Sequence, residues 1–143
     1  MKTDYRERSI PATRAVLGYA ADDAGCGVAY ARLGPSGENL LRVPFRVRRY
    51  PGLGGREVGY AALSAVAGRL CDRGVSRVTF EMNDPDLVSD VAERRSLPAP
   101  LILPYVGLRC SLNRLDGYAL TFGPGSEELA QRARGEVTVH VAA

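Results

Sequence analysis

Residues 59–88 read GYAALSAVAGRLCDRGVSRVTFEMNDPDLV, and the order of elements within them decides the fold. Ala62, Leu63, Val66, Ala67 and Leu70 fall at i, i+1, i+4, i+5 and i+8, one apolar face of a helix. The helical pattern spans residues 56–73, and Gly74 supplies its C-terminal cap. Residues 76–82, SRVTFEM, then alternate as a strand and lead through Asn83 into a second helical run, 84–93. Asp is a favoured N-cap and Pro a favoured first helical residue, so Asp84 and Pro85 open that helix on local grounds alone. A helix joining two strands of one sheet makes a crossover, and crossovers favour parallel neighbours. The strand SRVTFEM is therefore expected to run parallel to the first strand of the chain.

That first strand is residues 13–21, TRAVLGYAA; the turn DDAG leads to a second, residues 26–33, CGVAYARL. Residues 40–50, LLRVPFRVRRY, form a third strand with Leu41, Val43, Phe45 and Val47 on one face and Arg42, Arg46 and Arg48 on the other. The chain thus opens with a three-stranded meander. Beyond the second helix, residues 97–104, LPAPLILP, read as a rigid connection and residues 105–115, YVGLRCSLNRL, as a short amphipathic piece. Then come a strand at 118–122, the turn GPG, a helix at 126–134 and a final strand at 136–141, EVTVHV. In that strand Val137, Val139 and Val141 share an apolar face and His140 points to solvent on the other. The tail is expected to add to a sheet edge or to pair with a second molecule as a homodimer.

The 143 residues suit a single domain, 1–143, long enough to bury roughly two thirds of the unfolded surface. With 45% hydrophobic and 24% charged residues the chain has an ordinary globular composition. No apolar run approaches the roughly 18–20 residues that cross a bilayer, and MKTDYRERSIPATR lacks the apolar core of a signal peptide, so a cytoplasmic chain without a membrane partner is expected. Cys26, Cys71 and Cys110 are odd in number and far apart, against a disulfide framework or a zinc site, and read as small core residues. A net charge of +3 is only a faint pointer to nucleic acid.

The order of elements over residues 13–134, with GYAALSAVAGRLCDRGVSRVTFEMNDPDLV and LTFGPGSEELAQRA at its key places, resembles the ribonuclease H-like superfamily. The resemblance implies an α/β fold: a five-stranded mixed sheet flanked by helices, with the C-terminal strand as an addition. It also implies a site. In active members four carboxylates meet at the centre of the sheet and hold two magnesium ions for phosphodiester hydrolysis, and magnesium is commonly held by carboxylates.

Matched residue by residue, that acid cluster is incomplete. The position of the family's helix acid falls on Gly59, while Glu57, two residues earlier and about 200° around the helix, turns away as a first-turn acid at the helix dipole. Counting without a gap, the acid that ends the family's fourth strand falls on Asn83, and Asp84 is a cap unless a one-residue bulge brings it to the site. Glu127 matches the acid that opens the last helix, a place any helix start also favours. On the first strand the family's Asp corresponds either to Asp22 or to Gly18, with both Asp residues then serving the turn. The family's histidine before the last helix has no counterpart in FGPGSEE.

Arg42, Arg46 and Arg48 are the most functional-looking surface feature: arginines about 7 Å apart along a strand match successive phosphates, although charges also keep an edge strand soluble. The sequence therefore reads as a ribonuclease H-like domain with a degraded acid cluster, without a cofactor, that binds nucleic acid (an RNA/DNA hybrid or a single strand) or another partner. One alternative is an active magnesium-dependent endonuclease cleaving the RNA strand of hybrids through Asp22, Asp84 and Glu127, with Glu57 swung inward. Another is a dimerising scaffold.

Overall fold

A computed structural model describes residues 12–34, 39–48, 55–93 and 96–142, with the side chains of residues 139–142 outside the description. Three antiparallel strands open it, β1 (Thr13–Ala21), β2 (Cys26–Leu33) and β3 (Asn39–Arg46). Helix α1 (Arg56–Asp72), strand β4 (Arg77–Met82) and helix α2 (Pro85–Glu93) follow, then α3 (Ala99–Leu112), β5 (Gly117–Phe122) and α4 (Glu127–Ala142). The five strands form one sheet in the order β3-β2-β1-β4-β5. β4 runs parallel to β1, with Thr13 opposite Val78 and Val16 opposite Glu81, as the crossover argument predicts. β5 is parallel to β4 in turn. The expected continuation of the third strand over residues 49–50 lies outside the described residues.

The two faces of the sheet carry separate cores. On one, Ala62, Leu63, Val66, Ala67 and Leu70 of α1 are completely buried against Ala15, Leu17, Val43 and Phe80, so the apolar stripe read from the sequence is the packing face. Gly74 ends α1 with a left-handed φ of 84° while the N–H of Val75 reaches back to the carbonyl of Leu70, the C-terminal closure that glycine permits. The helices on this face are also joined by a buried polar group: the Asp90 carboxylate of α2 accepts Arg56 and the Tyr60 hydroxyl of α1. On the other face α4 crosses β1 and β2 and buries Leu129 and Ala133 against Val28 and Tyr30. Gly18 makes that crossing possible. A Cβ there would stand 2.6 Å from the Leu129 Cβ and closer still to the Ala130 nitrogen.

Three readings are corrected. The tail at 136–141 is not a strand: α4 continues unbroken through it to Ala142. Val137 packs against the small core, Glu136 is bound to the sheet, and the Thr138 hydroxyl donates to the carbonyl of Arg134, four residues back. Extending an existing helix adds one hydrogen bond per residue fixed, which outweighs the few tenths of a kcal/mol by which valine and threonine disfavour it. His140 therefore lies on a helix, its side chain outside the described ones. Residues 97–104 and 105–115 are not a connection and a short piece but mainly one helix, α3, which tolerates Pro104 in its interior. Leu101, Leu108 and Leu112 are fully buried along one side of it, and that burial offsets the missing donor. None of the cysteines is a fully buried core residue: Cys26 and Cys71 are half-buried and Cys110 is exposed. Among the described residues no helix is long and apolar enough to cross a membrane.

Candidate functional site

The parallel pairing of β1 and β4 brings their carboxyl ends together, and residues singled out by the sequence gather there. β4 stops at Met82; Asn83 and Asp84 follow before α2 begins. Asp84 has two contacts. Its Oδ1 accepts the N–H of Leu87 at 3.1 Å, the N-cap bond expected from the Asp-Pro pair. Its Oδ2 accepts the hydroxyl of Tyr19 at 2.9 Å. Tyr19 alternates with Ala15 and Leu17 on β1, on the face covered by α1. Burial first, then the charge of Asp84, hold its hydroxyl well above the ordinary tyrosine range, so it stays a neutral donor.

Gly59 closes this group from above. A Cβ on Gly59 would stand 2.8 Å from the Tyr19 hydroxyl, 2.8 Å from Leu87 Cδ1 and 3.2 Å from Asp84 Oδ2. Space that a side chain at this point of α1 would need is thus taken by the tyrosine hydroxyl and by Leu87. Asp84 is both a cap and a carboxylate facing Gly59, so the sequence reading of it as a cap is half of its role.

Asn83 turns elsewhere. Its Nδ2 donates to Glu127 Oε2 at 3.1 Å, and Arg134 donates to Oε1 of the same carboxylate at 3.0 Å. Arg134 first, and Asn83 next, hold the exposed Glu127 carboxyl below its usual range. Asp22 closes the β1–β2 turn: its Oδ1 accepts the N–H of Cys26 at 2.9 Å, and its own N–H donates to the Cys26 carbonyl. Gly18, the other candidate on the first strand, lies under α4 on the opposite face of the sheet from Tyr19. Glu57 is in the first turn of α1 as expected but is buried, 1% exposed, together with Val58, Gly59 and Tyr60. Asp22, Asp84 and Glu127 thus have different protein partners, and among the described residues no three His, Cys, Asp or Glu side chains are close enough to hold a metal ion.

The arginine row is real but unequal. Arg42 and Arg46 alternate outward between the buried Leu41, Val43 and Phe45, and Arg48 is exposed just past the strand. Arg42, however, is clasped by α4: its Nε lies 3.1 Å from each oxygen of Glu136, its terminal nitrogen bonds the same carboxylate, and the Tyr30 hydroxyl donates there too. Arg42 first, with Tyr30 next, pulls the Glu136 carboxyl down to about 2. The sequence reading missed Tyr19 and Glu136. Tyr19 was visible only as a large polar-tipped residue on the inward face of β1, and Glu136 was hidden by the strand reading of the tail.

No family model matches the sequence, and no curated protein matches it. Solved structures do. RNase H1 from the halophilic archaeon Halobacterium salinarum NRC-1 superposes with a TM-score of 0.72 at 16% identity, covering 91% of this chain and 99% of that one. The N-terminal RNase H domain of a Mycobacterium tuberculosis protein, solved as a fusion with maltose-binding protein, gives 0.70 at 14% identity over 92% and 100%. LC11-RNase H1 in complex with an RNA/DNA hybrid gives 0.61 at 13% identity over 92% and 99%. At these identities the likeness is one of architecture. The chain has the ribonuclease H-like fold, and the resemblance drawn from its sequence holds at that level.

Proposed function

We propose that the chain is a ribonuclease H-like module that binds nucleic acid, an RNA/DNA hybrid or a single strand, and that its acid cluster is degraded so that it does not cut what it binds. The observation that carries this reading is the Tyr19 hydroxyl, bound to Asp84 in the space that a side chain at Gly59 would need. Magnesium takes anionic oxygens. Here both oxygens of Asp84 already accept protein donors, Gly59 offers no ligand, Asn83 is a neutral amide turned to Glu127, and Asp22 is engaged in a turn. That donor set does not fit a pair of magnesium ions. Binding would draw on the face that bears Arg46 and Arg48, with Arg42 masked by Glu136. The complex of LC11-RNase H1 makes a hybrid the first ligand to try. With the tail helical and clasped to its own sheet, the homodimer through a C-terminal strand loses its basis.

The test uses the unmodified chain, a labelled RNA/DNA hybrid and magnesium. The hybrid should stay intact while fluorescence anisotropy reports binding that weakens steeply with salt, because each phosphate contact releases close to one counterion. The runner-up, a magnesium-dependent endonuclease, is favoured by the Asp84 carboxylate facing Gly59. Cleavage that Asp84→Asn abolishes would replace the first reading with it, and absence of binding even at low salt would remove the nucleic-acid reading.

A further inference from the structure

On the face of the sheet opposite Tyr19, a cleft of about 510 Å³ opens between the ends of β2 and β3 and the second half of α4. That volume falls within the roughly 300–1,000 Å³ of ligand pockets. Its floor is a ladder of cross-strand pairs: Cys26 opposite Arg46 and Val28 opposite Pro44, with Tyr30 opposite Arg42 at one end. Val137 of α4 adds an apolar wall beside them.

The charges are what give the cleft a preference. Four charged side chains line it, Asp22, Arg42, Arg46 and Glu136. Glu136 and Arg42 are matched to each other, with the Tyr30 hydroxyl on the same carboxylate, and Asp22 accepts the N–H of Cys26. Arg46 has no hydrogen bond or ion pair among the described residues. It also lines a second cleft, of about 520 Å³, with Asp23 and Arg48. Arg46 thus offers a guanidinium to a ligand in a pocket with an apolar floor, with the Asp22 carboxylate also on its lining, and guanidinium groups suit planar, two-point recognition of phosphate.

We infer that this cleft binds one nucleotide unit, its flat ring on Pro44 and Val137 and its phosphate on Arg46. The unit can come as a free mononucleotide or as one residue of a single strand. The cleft shares Arg46 with the face proposed above for nucleic-acid binding, so the inference rests on and deepens that reading, while a mononucleotide titration, which needs no hybrid, tests the cleft by itself.

The experiment is a titration of the isotope-labelled chain with adenosine monophosphate, with adenosine and inorganic phosphate as single-part controls, and with a short single-stranded oligonucleotide. Adenosine monophosphate should move the amides of Cys26, Val28 and Arg46, with tighter binding than either control. Arg46→Gln, an exposed change that leaves the core untouched, should weaken that binding by about tenfold or more, the size expected for loss of a charged hydrogen-bonding partner. Shifts produced by the oligonucleotide but not by the mononucleotide would assign the site to a nucleotide within a strand. Absence of shifts with both, or shifts unchanged in Arg46→Gln, would overturn the inference, whatever the hybrid assay returns.

Discussion

Replacing Gly59 by Ala tests whether the Tyr19 hydroxyl occupies the place of a side chain on α1. On helix grounds alone the change should stabilise, since Gly costs up to ~1 kcal/mol against Ala in a helix. The structure sets larger effects against it. The new methyl would lie 2.8 Å from both the Tyr19 hydroxyl and Leu87 Cδ1, well inside the ~3.5–4 Å of favourable contact. Leu87 is fully buried and has little room to retreat, so overpacking should cost ~1–3 kcal/mol. Tyr19 can retreat only by loosening its bond to a carboxylate, worth ~1.5–3 kcal/mol. Taking the lower figures, a loss of ~2.5 kcal/mol against a gain of ~1 leaves a net destabilisation of ~1.5 kcal/mol. For a chain of this size that is a fall in Tm of ~5 °C. Tyr19→Phe removes the crowding oxygen, so in that background Gly59→Ala meets only Leu87, and the two changes together should cost ~1 kcal/mol less than their sum. Thermal and urea unfolding of the four proteins decides it. A Gly59→Ala variant that melts above the parent, or costs that add within ~0.5 kcal/mol, would show that the hydroxyl does not fill that space.

Gly18→Ala should be more severe, because the atoms it meets belong to the backbone of α4 and the helix itself must shift; a loss of ~3 kcal/mol or more, and of ~10 °C in melting temperature, is expected by calorimetry. Glu136→Gln tests the clasp through pH. The folded carboxyl titrates at about 2 against 4.5 ordinarily, so its stabilisation is fully present above about 4.5 and is lost as pH falls through about 2. Melting temperatures of parent and variant should therefore differ most at pH 5 and above and converge toward pH 2. Truncation after Gly135 should lower the melting temperature and leave the oligomeric state in solution unchanged, because the removed segment is bound to its own sheet through Arg42 and Tyr30.

The parts of the fold that could be read from sequence were those where periodicity and punctuation agree. The α1 stripe, Gly74 at its end, the alternation of β3 and the Asp84 cap each rest on local chemistry that the tertiary structure reinforces. What could not be read were places where packing overrides a local signal. Pro104 speaks against a helix, yet three fully buried leucines hold α3 together around it. Alternating valines speak for a strand, yet residues 136–141 continue a helix already begun, and the partner that fixes it, Arg42, lies 94 residues away. Pairing of that kind leaves no trace at the spacing over which local patterns are read.

The candidate site turns on a single residue. Gap-free counting from Gly59 assigns the strand-ending place to Asn83, and the position after it to Asp84. In the structure β4 closes at Met82, so Asn83 already lies beyond the strand and its amide is drawn aside to Glu127. The chain therefore presents Asp84, not Asn83, to Gly59 and Tyr19. This changes what is missing from the acid cluster. The Asp84 carboxylate accepts one protein donor on each oxygen, the Leu87 N–H and the Tyr19 O–H. Gly59 carries no carboxylate, and the space that a side chain there would need is taken by the Tyr19 hydroxyl and Leu87. One residue, Tyr19, thus engages the Asp84 carboxylate and crowds the place of a side chain at Gly59, the two features on which the proposed loss of chemistry rests. That hydroxyl gives the half-buried Asp84 carboxylate a second hydrogen bond beside the one from the Leu87 N–H. The stability of this corner of the fold and the proposed loss of its chemistry therefore have a common physical origin in the bond between Tyr19 and Asp84.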